Sequence, residues 1–402
     1  MALIVQKFGG SSVADAEKVN RVAGIIKETY DAGNSVIVVL SAQGDTTDDL
    51  IEKAHEINPS PSKREMDMLL STGEQISIAL CAMALERMNV PVVSLTGWQI
   101  GMRTDSSYSS ARIKSVATER IRAELDRKRV VLVAGFQGVN KFDDVTTLGR
   151  GGSDTTAVAI AAKLHADLCQ IYTDVTGVFT ADPRLVPTAH QLSEITYDEM
   201  LELASLGAQV LHNRSVEMAR RYGVNLEVLS SYERKPGTKV KEVVKMEETK
   251  ISGIAKDSNI ARIALVGLKD EPGVAFKIFR DMAKAQINVD IILQSIGRDS
   301  TKDISFTVAQ SDVDAAMKTL MENRDSIGFQ NLSMDDTVCK LSIVGAGMIN
   351  SPGIAAMMFE ALYDAKVNIR MISTSEIKVS VLIDEADSDI AMKAVHQKFF
   401  GE

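Results

Sequence analysis

The sequence predicts an α/β protein: a mostly parallel sheet between helices in residues 1–235, followed by two small βαββαβ repeats in residues 259–335 and 336–402, with 236–258 as linker. Three observations predict this. Short continuous apolar runs alternate with helix-like segments through the first part of the chain, the pattern of strands buried on both faces. Aromatic residues make up only 5% of the sequence, with a single Trp, so the core is aliphatic. A motif pair then recurs at a fixed offset of 80 residues in the last part.

In chain order, Ala2–Val5 reads as a strand entering a Gly/Ser turn, and Asp15–Tyr30 as a helix. Ser35–Leu40 (SVIVVL) is a strand ending at Ser41, and Gln75–Met88 is a helix. Val90–Leu95, Val130–Ala134 and Leu168–Thr173 are further strands, with Ser109–Arg127 and Asp154–His165 as helices between them. In such sheets ligands sit at the carboxyl ends of the strands. The composition changes at Pro236–Thr249, a Pro-Gly turn followed by dense mixed charge. Beyond it, Lys269-Asp-Glu-Pro-Gly-Val recurs as Ile349-Asn-Ser-Pro-Gly-Ile, and Ile287-Asn-Val-Asp-Ile as Val367-Asn-Ile-Arg-Met. Each copy reads strand, Pro-Gly turn, helix, a strand around the Asn, an alternating strand (Asp303–Val308; Lys378–Ile383) and a final helix. Residues 249–257 are placed to add a strand to this pair.

The net charge is −9, from 45 basic and 54 acidic residues, which gives no bulk attraction to nucleic acid or anionic lipid. The three cysteines, Cys81, Cys169 and Cys339, form no CxxC, which fits a reducing cytoplasm. The amino end lacks the charged region of a signal peptide. No apolar run approaches the ~18 residues of a membrane span. The five histidines show no HExxH spacing and no GxSxG elbow is present, so zinc and Ser-His-Asp chemistry are not expected.

Four stretches carry chemistry. Lys7-Phe-Gly-Gly-Ser-Ser, ending the first strand, offers a cation and closely approachable backbone N–H groups to a phosphate. It reads equally as an ordinary strand–turn–helix capped by Ser12. Gly149-Arg-Gly-Gly-Ser-Asp-Thr-Thr forms an anion-binding nest in which Arg150 can hold a carboxylate bidentately, beyond what a simple helix cap needs. Thr173–Arg184 (TDVTGVFTADPR) places Asp174 after a buried strand and Arg184 on a Pro-fixed turn, or is a loop with surface charges. In Ser71-Thr-Gly-Glu-Gln, Glu74 sits at a helix start, where a Glu also serves simply as a dipole partner.

KFGGSS, LSTGEQ, TTLGRGGSDTTA, YTDVTGVFTADPR and SSYERKPGT, in this order before a tandem Pro-Gly repeat, resemble aspartate kinase of the bacterial feedback-inhibited type with two ACT domains. The resemblance covers essentially the whole chain. It implies an amino-acid-kinase fold followed by two ferredoxin-like ACT domains. It also implies the reaction of L-aspartate with ATP and Mg²⁺ to give 4-phospho-L-aspartate, the first step toward diaminopimelate, lysine, threonine and methionine. Carried over by position, Lys7, Asp154 and Arg150 would be catalytic, with Lys7, Phe8, Gly9 and Gly10 around the ATP phosphates. Ser41, Thr47, Glu74, Arg150, Gly152 and Ser153 would hold aspartate, Glu74 pairing its α-ammonium and Arg150 its α-carboxylate. Thr173, Asp174, Phe179, Asp182, Arg184 and Gln209 would complete the ATP site, and Mg²⁺ would arrive with ATP rather than on a protein ligand set.

Three positions depart from the family pattern: Gln209, where many relatives carry Lys; Asn213, where many carry Pro; and Thr176, where Asp is frequent. The ACT resemblance implies lysine and/or threonine as inhibitors. They would bind at Asp270, Pro272, Gly273, Val274, Ala275, Asp290 and Gln294 in the first repeat, and at Ile349, Asn350, Pro352, Gly353, Ile354, Asn368, Ile369 and Glu376 in the second. It further implies a homodimer, or an α2β2 assembly with a C-terminal subunit started near Met246, in the cytoplasm and without nucleic acid or membrane. The alternatives are a kinase for another small amino-acid carboxylate and an amino-acid-sensing regulatory protein.

Overall fold

The structure is a computed structural model describing residues 1–206, 210–242, 251–295, 301–348 and 351–401. The chain forms two units: Met1–Thr180 with His190–Glu248, and Ala181–Ala189 with Thr249–Glu402.

The first unit is built on an eight-stranded sheet. Its order is Glu194–Thr196, Thr238–Lys241, Leu226–Ser230, Leu168–Thr173, Leu3–Phe8, Ser35–Leu40, Val130–Ala134, Val92–Leu95. Every neighbouring pair is parallel except Leu226–Ser230 with Thr238–Lys241. Alternate residues explain the unbroken apolar runs. Phe8, Val36, Val38, Leu40, Val130 and Leu132 pack with the helices Ala16–Asp31 and Thr72–Arg87. Val5, Ile37, Val39, Val131 and Val133 alternate with them and are also buried. The helix Gly152–Leu164 packs on Leu3–Phe8 and Ser35–Leu40 and is itself buried through most of its length.

Two expectations are corrected here. Ser109–Arg127 is helical only over Glu119–Asp126. Ile113–Ser115 instead joins a small sheet with Arg103–Thr104, Gln137–Val139 and Val145–Thr147. Ser109 has a φ of 67°, a left-handed conformation that no helix interior uses. The stretch 236–258, expected as linker, carries the strand Thr238–Lys241 in the large sheet, while Gly253–Asp257 is the strand expected of 249–257, added to the second unit. The helices Lys63–Leu70 and Thr72–Arg87 form, by length and composition, one apolar stretch long enough to cross a membrane. Half of it is buried inside the protein, as in a core helix.

The second unit contains two four-stranded antiparallel sheets. One is ordered Ile292–Gln294, Thr301–Ala309, Ile260–Lys269, Asn331–Asp335; the other Gly253–Asp257, Val338–Val344, Lys378–Asp384, Met371–Thr374. The first repeat is complete within itself. The second ends on its final helix Ser388–Phe400, and Gly253–Asp257, from before the first repeat, supplies its fourth strand. The helices after the two Pro-Gly turns, Val274–Lys284 and Ile354–Asp364, sit 80 residues apart and start identically. Gly273 (φ 93°) and Gly353 (φ 95°) each lie in the left-handed region as N-cap. The strands expected around Asn288 and Asn368 begin further on, at Ile292 and Met371. Before them Asp290 donates its N–H to Thr307 O, and Ile291 O accepts from Thr307, so the chain is tied outside a regular ladder.

The nine residues Ala181–Ala189 belong to this unit as well. Ala181 and Val186 are buried in the core of the second repeat with Ile254, Leu341, Ile354 and Val381.

Candidate active site

Lys7 stands near the end of the central strand Leu3–Phe8. Gln6, one residue earlier, faces the helix Ala16–Asp31 and donates to Thr29 Oγ1 at 2.9 Å. The period of two therefore points Lys7 to the opposite face, toward the first turn of Gly152–Leu164. There Lys7 Nζ lies 2.7 Å from Asp154 Oδ1, both side chains almost buried. The contact is one of charge rather than a well-aligned hydrogen bond, since Asp154 Oδ1 has no hydrogen-bond partner by direction. The first N–H groups of this helix have no intrahelical acceptor. Its N-cap, Gly151, is left-handed and offers no side-chain cap.

The neighbouring turns converge on this point. Gly10 O accepts from Gly44 N–H at 3.0 Å, and a Cβ on Gly10 would lie 2.7 Å from Ala42 O. Glycine is required there by close backbone approach. Ser41, half-buried, donates its N–H to Phe8 O at 3.2 Å. Ala42 donates its N–H to Glu74 Oε1 at 3.2 Å, while Glu74 Oε2 is buried without a partner. Ser153 adjoins Gly135, whose added Cβ would meet its Oγ at 2.6 Å. Thr47 lies in the first turn of the helix Thr46–Ile57 that follows Gly44. On the other side, Gly9 donates to Tyr172 O at 3.4 Å, and Phe8 stacks on Tyr172 with centroids 4.5 Å apart. Thr173 and exposed Asp174 follow directly, Thr173 Oγ1 donating to Asp174 Oδ1 at 3.0 Å. Phe179 is half-buried.

Arg150 is exposed and has no ion-pair partner among the described residues. Lys7, Gly9, Gly10, Ser41, Glu74, Gly152, Ser153 and Asp154 thus gather at the carboxyl ends of the central strands. Asp182 and Arg184 lie in Ala181–Ala189 of the second unit, where Arg184 grips Asp182 at 2.7 Å. Gln209 lies outside the described residues, as do Ile349, Asn350 and Met246. Among the described residues no cluster of three or more His, Cys, Asp or Glu side chains is placed to hold a metal.

His212 belongs to none of the sequence motifs assigned to the site. It caps the helix Asn213–Tyr222 and packs on Gly151, where a Cβ would sit 2.2 Å from its ring. With Gly151, Asp154 and Asn213 it lines a cavity of about 350 Å³. Burial holds its pKa below the ordinary value, against the pull of the Asp154 charge.

Burial raises the Glu74 carboxyl to about 7, against its hydrogen bond from Ala42. The folded pKa is above the unfolded value of ~4.3, so the folded state holds this proton more tightly. Stability from this group is therefore full below pH ~4.3 and is lost as pH rises through about 7. Glu74→Gln keeps an acceptor for Ala42 and removes the ionisation. It is expected to exceed the parent in stability at pH 8 by at most ~4 kcal/mol, with no gain at pH 4. Urea denaturation at the two pH values checks this; an equal effect at both defeats it.

In the second unit, Asp270 pairs with Lys302 at 3.3 Å, and Asp290 pairs with Lys340 of the other repeat. Gln294, Pro272, Pro352, Asn368 and Glu376 are exposed; Ala275 and Ile369 are half-buried, and Val274 and Ile354 are buried under the turns.

Residues 2–230 match the family model described as the amino acid kinase family, and residues 263–323 and 341–399 match the ACT domain. The chain is 52% identical over 405 aligned positions to the aspartokinase of Mycolicibacterium smegmatis, covering 99% of this chain and 96% of that protein. Among solved structures it is similar to E. coli aspartokinase III in complex with aspartate and ADP (R-state), with 26% identity, 99% and 100% coverage and a TM-score of 0.84. It is also similar to the same E. coli enzyme in complex with lysine and aspartate (T-state), with 27% identity, 99% coverage of both chains and a TM-score of 0.78.

Proposed function

We propose, from the premise that the chain belongs to the aspartokinase family of phosphotransferases, that it transfers the γ-phosphoryl group of ATP to the β-carboxylate of L-aspartate, giving 4-phospho-L-aspartate. The observation that carries this is the buried, unpartnered Glu74 Oε2 beside Ala42, in the same ring of turns as the Lys7–Asp154 pair. A buried carboxylate without a cation calls for one from a ligand, and an α-ammonium supplies it.

The acceptor carboxylate has a free pKa of ~3.9 and is already ionised, so no general base is needed. The difficulty is to bring one anion against another. Lys7 neutralises transferring phosphate oxygens, and the N–H groups of Gly9, Gly10 and the Gly152–Leu164 helix start cradle them. Arg150 clamps the α-carboxylate; Ser41, Thr47, Gly152 and Ser153 orient the β-carboxylate. Asp154 holds Lys7 in place. Thr173, Asp174 and Phe179 flank the nucleotide, and Asp182, Arg184 and Gln209 complete its site. Mg²⁺ adds positive charge when bound with ATP, and the poorly aligned Asp154 Oδ1 suits a nearby cation. The product lies on the way to lysine and threonine, which inhibit through the Pro-Gly turns of the ACT repeats; the lysine complex of the E. coli neighbour supports an amino-acid effector. The enzyme is cytoplasmic, as a homodimer or an α2β2 assembly.

Hydroxylamine trapping of acyl phosphate with aspartate, glutamate and no acceptor tests the reaction. Signal with aspartate alone is the expected result, and signal with glutamate alone overturns it. Only ionised Glu74 can pair the substrate ammonium, so kcat/KM for aspartate is expected to fall as pH drops below about 7. Glu74→Gln abolishes that inflection. A parent profile flat from pH 6 to 8 sinks this role.

A further inference from the structure

Asp67 is fully buried on the helix Lys63–Leu70 and touches none of the groups assigned above. Its two oxygens accept from four donors on two distant segments. Ser109 N–H reaches Oδ1 at 3.0 Å and Oδ2 at 2.9 Å, and Ser109 Oγ–H reaches Oδ1 at 3.4 Å. Thr147 N–H reaches Oδ2 at 2.8 Å, and Thr147 Oγ1–H reaches Oδ1 at 2.8 Å. Only an acceptor-only carboxylate suits four converging donors; an amide would turn its own NH₂ against them. The segments so gathered are tied to each other by Ala111 N–H to Thr147 O at 2.9 Å. Arg214 closes them from the far side, donating to Leu148 O at 3.0 Å and to Ala111 O at 2.8 Å. The backbone is thus pinned immediately before Gly149-Arg150-Gly151, while the Arg150 side chain itself stays unpartnered among the described residues.

We propose that Asp67 is a positioning residue for acceptor binding: by fixing Ser109 and Thr147 it sets the loop that presents Arg150, so that the guanidinium meets the α-carboxylate without first ordering its own backbone. This rests on the assignment of Arg150 to the acceptor carboxylate. A loop held at its base by a charged, fully satisfied group loses little freedom when the substrate arrives.

The test compares the full-length parent, Asp67→Asn, Arg150→Ala and the double variant. Asp67→Asn is expected to raise KM for aspartate about tenfold or more, with KM for ATP and kcat within about twofold. Arg150→Ala raises KM for aspartate further, and the double variant matches Arg150→Ala, because Asp67 then has nothing left to position. Thr147→Val removes one donor and leaves the backbone N–H; it is expected to shift KM for aspartate about threefold in the same direction, and carries the test should Asp67→Asn fail to fold. If Arg150→Ala leaves KM for aspartate unchanged, the assignment of Arg150 falls and this inference with it. If Arg150→Ala raises it but Asp67→Asn and Thr147→Val do not, only the positioning role is overturned. The same holds if Asp67→Asn raises both KM values alike, or multiplies with Arg150→Ala.

Discussion

Lys7→Met is expected to fold like the parent and to turn over about a thousandfold or more slowly, the loss produced by removing one preorganised donor from developing negative charge. Met keeps the length of the stem and the strand position, so the sheet is untouched. The ion pair is lost, and Asp154 remains almost buried without its cation at 2.7 Å. That alone lowers stability, by up to ~3 kcal/mol. Lys7→Met/Asp154→Asn separates the two consequences: it recovers much of the stability and none of the turnover. Circular dichroism with an acyl-phosphate assay reads both. A folded Lys7→Met enzyme within tenfold of the parent rate would remove Lys7 from the chemistry.

Arg150→Ala makes the opposite pairing of effects. Arg150 is exposed and holds no partner among the described residues, so its loss leaves the melting temperature unchanged. Two charge-assisted hydrogen bonds to a carboxylate are together worth ~3–4 kcal/mol, which lowers kcat/KM for aspartate about a hundredfold to a thousandfold. KM for ATP stays level. Arg150→Lys restores part of the loss, since an ammonium keeps the charge but not the two-pronged geometry. An equal loss toward both substrates would show that the residue shapes the whole site rather than clamping one ligand.

The parts of the fold legible in the sequence are those buried on two faces. Ser35–Leu40 and Val130–Ala134 are strands with the bounds the apolar runs mark, because helices cover both sides and every position must be apolar. The small sheet is not legible in this way. Its strands are two or three residues long, too short for any period to show. Ser109–Thr118 has helix-compatible composition, and contacts to Asp67 and Arg214 override it. Asp67 lies in none of the motifs the sequence displays; its partners are 42 and 80 residues away. The motifs around Lys7, Glu74 and Asp154 are visible in the sequence, but their meeting is a product of sheet order. The Asp182-Pro183-Arg184 turn is equally visible, and only the structure assigns it to the second unit.

That assignment means the chain passes between its units three times, at residues 180–181, 189–190 and 248–249. The two units are therefore interleaved along the chain. A gene cut once after residue 248 yields a regulatory piece with an unfilled notch where Ala181 and Val186 should lie among Leu341, Ile354 and Val381. Such a piece is expected to be weaker by about 1–3 kcal/mol than the same piece with residues 181–189 attached, a difference that urea titration reads directly. A recombined enzyme that takes its catalytic half from one parent and its regulatory half from another inherits the same misfit, unless those nine residues travel with the half they complete.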